Sequence, residues 1–258
     1  MAHEFDGRKY EKASAHQKEW GAKLIDQLSL RGDERILDLG CGDGALTARL
    51  AESVPAGEAM GIDSSQGMIE AARQRRRDNL SFILMDIDHL DFDEEFDVVF
   101  SNATLHWVQD HQRLYRNVKR ALRPGGVLRF NFAANENCSC FLAVIREAIS
   151  LDEFAAFFGG FRWPWYMPVV QEYEAWVQRS GFRHLRVWGE NADRFFPDAE
   201  ALIKWIDQPS LVPFLPRVAG VEQSRFRDYV VRRMLETTRQ PDGRYFETFR
   251  RVNVYARK

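Results

Sequence analysis

Three closely spaced glycines follow an apolar run in residues 36–45, ILDLGCGDGA. Gly40, Gly42 and Ala45 fit the spacing G-x-G-x-x-G/A, and Asp63 comes about twenty residues later. Glycines let the backbone approach a ligand closely, the helix that follows presents amide N–H groups, and a carboxylate accepts hydrogen bonds from both ribose hydroxyls. The pattern therefore predicts a loop that binds an adenosine-containing cofactor.

The charges of this loop distinguish two classes of adenosine cofactor. Asp38 precedes the first glycine and Asp43 lies between the others, and both would repel the pyrophosphate of a dinucleotide such as NAD. S-adenosylmethionine instead carries an ammonium and a sulfonium group, which carboxylates attract. The loop therefore favours S-adenosylmethionine. A tight turn without a ligand is less favoured, because three glycines raise the entropy cost of folding without improving packing.

A second set of candidate residues lies in SNATLHWVQDH, after a predicted strand. Substrates of open α/β sheets bind beyond the carboxyl ends of the strands, so His106 and Trp107 are expected near the chemistry. Methyl transfer from a sulfonium is a displacement that needs a base only when the acceptor is protonated. His106 is the candidate base for a nitrogen or phenol acceptor, and a packed structural role for it is an equal alternative.

A carboxylate acceptor would need no base, since its pKa is about 4 and it is ionised at neutral pH. It needs hydrogen-bond donors that aim one oxygen at the methyl group. The Trp107 indole N–H and the Gln17 amide are such donors, and neither forms the tight ion pair that would weaken the nucleophile. Gln17 lies in a predicted N-terminal helix, which we expect to close over the mouth of the cofactor site.

The elements that must position these residues alternate between strands and helices, which is typical of βαβ units around a mostly parallel sheet. The predicted strands cover 35–39, 58–63, 81–86, 96–101, 126–133, 184–188 and 246–256. The predicted helices cover 17–28, 45–53, 66–76, 110–122, 199–205 and 222–237. The last strand has no room for a further crossover, so we expect it to be antiparallel.

A helical run that ends in an aromatic, proline-broken loop, FFGGFRWPWYMP, follows the predicted fifth strand. Such an insertion is typical of a lid or pocket wall. We predict one domain over 1–258, made of an N-terminal helical cap (1–32), a cofactor core (33–136), helical lid segments (137–180 and 195–240) and the last strand (245–257).

Composition excludes several other classes of protein. The 36 Lys and Arg nearly balance the 38 Asp and Glu, giving a net charge of −2, which argues against non-specific nucleic-acid binding. The sequence has no signal-peptide core and no run long enough to span a membrane. Cys138 and Cys140 lie too close together for the usual zinc spacing, and no pattern demands a metal. We expect a cytoplasmic monomer that acts on a small molecule.

The order and spacing of DLGCGDG, GIDSS, LMDI, FSNATLHW and LRPGG resemble the class I S-adenosylmethionine-dependent methyltransferases. The resemblance covers most of the chain and implies a Rossmann-like, seven-stranded, mostly parallel sheet with an antiparallel last strand. It also implies site residues. These are Asp38, Gly40, Cys41, Gly42 and Gly44 for the methionyl end, Asp63 for the ribose, Ser64 and Met68 where the adenosine would lie, Asp86 and Ile87 for the adenine, and Asn102 along the cofactor. A core position in its helix is an equal alternative for Met68.

A closer resemblance suggests the acceptor. ASAHQKEW, LHWVQDHQRLYRNV and RVNVYARK resemble the carboxyl methyltransferases of juvenile hormone acid, and the tail from residue 198 is similar to trans-aconitate methyltransferases. Both families make methyl esters, and the first implies that Gln17 and Trp107 hold the acceptor carboxylate. Cationic residues are available for an acid with several carboxylates, namely Arg162, Arg194, Arg250 and Arg251. The aromatic loop is an alternative wall for a longer, apolar acid.

These patterns predict a methyltransferase that esterifies a small or medium organic acid. One alternative keeps the fold and changes the acceptor to an acyl thioester carboxyl, or to a nitrogen or phenol with His106 as base. Another is a cofactor-binding protein without turnover.

Overall fold

A computed structural model describes the backbone of residues 15–258 and the side chains of residues 18–258. The helices are Ala15–Asp26 (α1), Ala45–Ser53 (α2), Gln66–Ala72 (α3), His111–Ala121 (α4), Ser139–Ser150 (α5), Asp152–Ala155 (α6), Val170–Val177 (α7), Ala199–Trp205 (α8) and Glu222–Thr238 (α9). The strands are Arg35–Leu39 (β1), Glu58–Asp63 (β2), Leu80–Leu84 (β3), Phe96–Asn102 (β4), Leu122–Ala133 (β5), Arg183–Asn191 (β6), Arg194–Phe196 (β7), Tyr245–Glu247 (β8) and Arg250–Arg257 (β9).

The described chain divides into two compact units. The first comprises the described residues up to Asn135, together with Trp165–Glu190 and Arg251–Lys258. The second comprises Glu136–Pro164 and Asn191–Arg250. The predicted assignment of all these segments to one domain stays a prediction.

The first unit is built on a seven-stranded sheet in the order β3-β2-β1-β4-β5-β9-β6. The pairs from β3 to β5 are parallel, and β9 runs antiparallel to β5. This confirms the predicted sheet and its antiparallel last strand. In parallel strands flanked by helices both faces are buried, and every residue of β1 after Arg35 is buried.

Local sequence explains where the helices begin. Ser65 precedes α3 and its hydroxyl accepts the Met68 N–H, while Asp110 precedes α4 and its carboxylate accepts the Arg113 N–H. Helix α3 is four residues shorter at its C-terminal end than predicted, since its apolar residues end at Ala72 and an arginine-rich stretch follows.

The second unit has an aromatic core that joins its two chain segments. Phe154 packs edge-on against Phe226 with ring centroids 5.1 Å apart, and Phe141 packs in the same way against Trp205 at 5.8 Å. A two-stranded antiparallel sheet of β7 and β8 completes this unit.

The predicted last strand over 246–256 is wrong in its first part. The structure divides this stretch into β8, which pairs with β7, and β9, which joins the large sheet. Between them the Phe249 N–H donates to Asp193 Oδ1 at 3.0 Å rather than to a neighbouring strand. The sequence predictions also missed α7 and the short strand β7.

Among the described residues, no helix combines the length and the apolar character that crossing a bilayer requires.

Candidate functional site

The glycine loop leaves β1 in a conformation that only glycine adopts easily. Gly40 and Gly44 have φ of +71° and +75°, in the left-handed region. A Cβ on Gly40 would lie 2.0 Å from Thr104 Cγ2, and the Thr104 hydroxyl donates to the Gly40 carbonyl at 3.0 Å. The loop is therefore held against the segment that follows β4.

Asp63 at the end of β2 fixes the other side of this loop. Its Oδ2 accepts the Gly42 N–H and its Oδ1 accepts the Ser65 N–H, both at 2.9 Å. One carboxylate thus joins the loop to the start of α3. The N–H groups of Gly40 and Cys41 donate to the Ile62 carbonyl at 2.8 and 2.9 Å.

Asp38 is a buried acid at the end of β1. It is 2 % exposed, and Oδ2 accepts the Thr47 hydroxyl at 2.7 Å. Burial raises the pKa of Asp38 to about 7, against the lowering effect of the Thr47 hydrogen bond, and the charge of Asp63 raises it further. A cationic ligand would stabilise this carboxylate, so the donor set of Asp38 and Asp63 fits the ammonium, sulfonium and ribose groups of S-adenosylmethionine.

Asp43 does not act as the charge argument from the sequence expects. It is buried, and its Oδ2 lies 2.6 Å from Lys18 Nζ and 3.4 Å from Arg75 Nη2. Its negative charge is therefore compensated within the protein. The electrostatic preference for a cationic cofactor rests on Asp38 and Asp63.

The remaining predicted cofactor residues divide by exposure. Ser64 is exposed beside Asp63, and the Met68 side chain is buried in α3. The Cys41 thiol packs in an apolar cluster with α3, where burial raises its pKa well above the ordinary value. Cys41 therefore contributes its backbone to the loop, while its side chain packs inside the protein.

The two residues predicted to bind adenine, Asp86 and Ile87, lie in a turn after β3. Asp86 Oδ1 accepts the Asp88 N–H at 2.9 Å and begins a 3-10 turn that contains the buried Ile87. Asp86 is thus beyond the end of β3, and not within a strand over 81–86 as predicted.

A polar network that the sequence predictions did not identify surrounds the ends of β4 and β5. Asn102 pairs in register with Asn131, whose Oδ1 accepts two N–H groups of the buried Arg251 at 2.8 and 2.6 Å. The Arg251 guanidinium carbon also lies 4.9 Å from the centre of the Trp20 ring in α1. The alternation of β9 predicts that Arg250 and Arg251 face opposite ways, but it does not identify which of them is buried.

A 3-10 turn, Leu105–Trp107, follows β4 and carries the two predicted acceptor residues. The Trp107 ring packs edge-on against Trp165 with centroids 5.5 Å apart, and the His106 carbonyl accepts the Tyr166 N–H at 2.8 Å. Trp165 and Tyr166 thus fix the position of this turn.

The aromatic loop is not one structural segment. Trp165 and Tyr166 belong to the first unit, whereas Phe161 and Trp163 pack against Phe214 in the second. Its role as a lid stays a prediction.

The other predicted cations have different surroundings. Arg162 is exposed. Arg194 lies over the ring of Phe196, and Arg250 forms an ion pair with Asp193. Gln17 lies in α1, but its side chain is outside the part of the chain that the structure describes.

Two histidines adjoin the acceptor turn and differ in their contacts. His111 Nε2 lies 3.1 Å from the Leu105 carbonyl and its Nδ1 lies 2.7 Å from the Tyr173 hydroxyl. His106 Nδ1 is buried without a hydrogen-bond partner among the residues that the structure describes. Burial lowers the pKa of His106 to about 3, helped by the positive charges of Arg251 and His111.

Comparison with known proteins agrees with this geometry. A family model described as a methyltransferase domain matches residues 30–154. The chain is 34 % identical over 226 residues to a trans-aconitate 2-methyltransferase of Deinococcus radiodurans, covering 84 % of each chain. It is 30 % identical to a trans-aconitate 2-methyltransferase of Escherichia coli, over 95 % of this chain and 94 % of the relative.

Solved structures share the fold at low sequence identity. The YcgJ protein of Bacillus subtilis matches with a TM-score of 0.63 and 15 % identity, over 94 % of this chain and 98 % of that one. The phosphoethanolamine N-methyltransferase 2 of Haemonchus contortus, in complex with S-adenosyl-L-methionine, also has a TM-score of 0.63, with 17 % identity over 98 % of this chain and 56 % of that one.

Proposed function

Because the chain belongs to the class I S-adenosylmethionine-dependent methyltransferases, we propose that it transfers the methyl group to a carboxylate of a small free acid such as trans-aconitate. The observation that carries this proposal is the length of the similarity. Both relatives described above are trans-aconitate 2-methyltransferases, and they match the chain well beyond the methyltransferase domain at 30–154. The similarity therefore includes segments outside the cofactor-binding core.

When bound, the cofactor would supply an electrophilic methyl group on a cationic sulfur. The acceptor oxygen would form a bond to the methyl carbon while the carbon–sulfur bond broke and left its electron pair on sulfur. A carboxylate is already ionised at neutral pH, so no proton needs to be removed. The protein's contribution is to orient the acceptor and exclude water.

Asp38 and Asp63 would hold the cationic and ribose ends of the cofactor, with Asp86 and Ile87 at its adenine end. Trp107 would donate its indole N–H to the acceptor carboxylate, and its packing against Trp165 holds the indole in place. The same role for Gln17 stays a prediction.

The electrostatics of His106 favour a carboxylate over a nitrogen or phenol acceptor. With its pKa lowered to about 3 by burial and neighbouring positive charge, the imidazole holds a proton poorly at neutral pH. A general base works best when its pKa is near the operating pH. An acceptor that must lose a proton therefore has no effective base in His106.

A panel of acceptors tests the proposal. Initial rates of S-adenosylhomocysteine formation are measured with trans-aconitate, a monocarboxylic acid, an acyl thioester that bears a free carboxyl, a phenol and an amine. We expect turnover with trans-aconitate and none with the phenol or the amine. Turnover with the phenol or amine alone would contradict the proposal. Turnover with the thioester alone would favour the acyl thioester alternative.

We also propose that the enzyme works as a cytoplasmic monomer on a free small molecule. Light scattering coupled to size-exclusion chromatography tests the monomer, which has a mass of 30.0 kDa.

A further inference from the structure

His106 and His111 lie close together after β4, and their ring nitrogens differ in hydrogen bonding. Both ring nitrogens of His111 have partners, at 2.7 and 3.1 Å, which is the usual state of a structural histidine. The buried Nδ1 of His106 has no partner among the described residues. His106 nevertheless has a fixed backbone, because its carbonyl accepts the Tyr166 N–H at 2.8 Å.

The partnerless Nδ1 indicates which nitrogen of His106 carries the proton. A neutral imidazole holds one N–H and one lone pair. Buried N–H groups without an acceptor are rarer than buried acceptors without a donor. The positive charge of Arg251 opposes protonation of the ring, so only one of the two nitrogens carries a proton. The proton therefore belongs on Nε2.

We propose that His106 positions the acceptor as a neutral donor, giving its Nε2–H to the acceptor carboxylate beside Trp107. This inference rests on the proposed carboxylate methylation and assigns His106 a role other than that of a base. A neutral donor orients a carboxylate oxygen without the ion pair that would lower its nucleophilicity.

The surroundings of His106 keep it neutral over the working pH range. Arg251 from β9 and His111 from α4 both oppose its protonation, and burial opposes it more strongly still. Tyr166, which adjoins the turn, has a pKa raised by its own burial and by Glu172, so its phenol stays uncharged. Arg251, His111 and Tyr166 therefore supply no negative charge that would favour the imidazolium of His106.

The matched variants His106→Gln and His106→Asn test the donor. The amide nitrogen of Gln can replace Nε2, whereas that of the shorter Asn replaces Nδ1. With trans-aconitate at saturating S-adenosylmethionine, we expect His106→Gln to keep kcat/KM within about threefold and His106→Asn to lose about tenfold or more. Unchanged S-adenosylhomocysteine affinity shows that each variant is folded.

The pH profile separates a donor from a base. With S-adenosylmethionine kept saturating at every pH, we expect kcat/KM for trans-aconitate to be level between about pH 6 and pH 8 in the wild type and in His106→Gln. A limb with a pKa of about 6.5 that disappears in His106→Gln would overturn the proposal. Equal activity of the Gln and Asn variants, whether high or low, would also overturn it.

The tautomer of His106 can be determined without an activity measurement. Ring-labelled ¹⁵N histidine spectra, assigned by the loss of signals in His106→Gln, should show the proton on Nε2. A proton on Nδ1 would refute the inference, whatever the acceptor proves to be. Wild-type protein that binds S-adenosylhomocysteine but forms no ester from trans-aconitate would instead refute the proposed function.

Discussion

At the scale of single residues, the ionisation of Asp38 should make cofactor binding depend on pH. Burial raises the pKa of Asp38 to about 7, so the free protein holds a proton there at lower pH, and a cationic ligand binds the ionised form. We expect the affinity for S-adenosylmethionine to fall by about tenfold per pH unit below pH 7. Calorimetric titration between about pH 5.5 and about pH 8.5 measures this dependence.

Asp38→Asn is the control for this prediction. Its amide cannot ionise, so any pH dependence that remains in the variant comes from other groups, such as the amino group of the ligand. The variant should bind more weakly at pH 8 and show a smaller dependence on pH. An identical pH dependence in the wild type and the variant would show that Asp38 is not the titrating group.

Gly40 is constrained both by its φ and by its neighbour. Gly40→Ala should lower the free energy of unfolding by about 2 kcal/mol or more, since it adds left-handed strain and a contact at 2.0 Å from Thr104. Gly125 has φ of +78° but nothing within 4 Å of a Cβ, so Gly125→Ala should cost only about 1 kcal/mol. Urea unfolding compares the two, and equal costs would contradict the close approach.

Trp107 should contribute an N–H to acceptor binding. Trp107→Phe keeps an aromatic ring against Trp165 but removes this donor, so KM for trans-aconitate should rise about tenfold while cofactor affinity stays constant. Trp165→Phe alters the same ring pair but leaves the indole of Trp107 in place. If it raised KM as much as Trp107→Phe, packing and not the N–H would explain the effect.

The residues of the cofactor loop were predictable only in part. Spacing alone identifies Asp38 and Asp63 as acids near the loop, and the structure brings both to it. The state of Asp43 was not predictable, because its partners Lys18 and Arg75 are 25 and 32 residues away in the chain. The partnerless nitrogen of His106 likewise depends on packing that no local pattern reveals.

At the scale of elements, the Lys18–Asp43 ion pair joins α1 to the glycine loop at 2.6 Å. Lys18→Met should therefore speed amide exchange in residues 18–26 by about fivefold. Lys23 is the matched control, since it lies in the same helix in an exposed pair with Glu19. Equal exchange in Lys18→Met and Lys23→Met would show that the Lys18–Asp43 pair does not anchor the helix.

The strands that position the site follow directly from sequence, whereas the end of the chain does not. Strands β1 and β2 have the predicted bounds, because each is a mostly apolar run with a clear stop: Gly40 follows β1, and β2 ends at Asp63. The division of 246–256 into two strands depends on Glu247, a fully buried carboxylate that accepts the N–H groups of Cys140 and Phe141. Strand alternation cannot reveal a contact made across 106 residues.

At the scale of the whole molecule, the type of sheet was predictable and the division into units was not. Strands and helices alternate along the sequence, and the motifs DLGCGDG and GIDSS lie at successive strand ends, which together predict the mostly parallel sheet that the structure shows. The second unit combines two distant segments, Glu136–Pro164 and Asn191–Arg250. Its aromatic residues join through tertiary packing, which a reading along the chain does not detect.

Identifying the bond that the reaction forms is the most direct test of carboxylate methylation. The protein is incubated with S-adenosylmethionine that bears an isotopically heavy methyl group, together with trans-aconitate, and the product is analysed by mass spectrometry before and after mild base. We predict one heavy methyl group per product molecule and its complete release by base, as for a methyl ester. A labelled product that survives base, or confirmed cofactor binding with no labelled acid, would contradict carboxylate methylation.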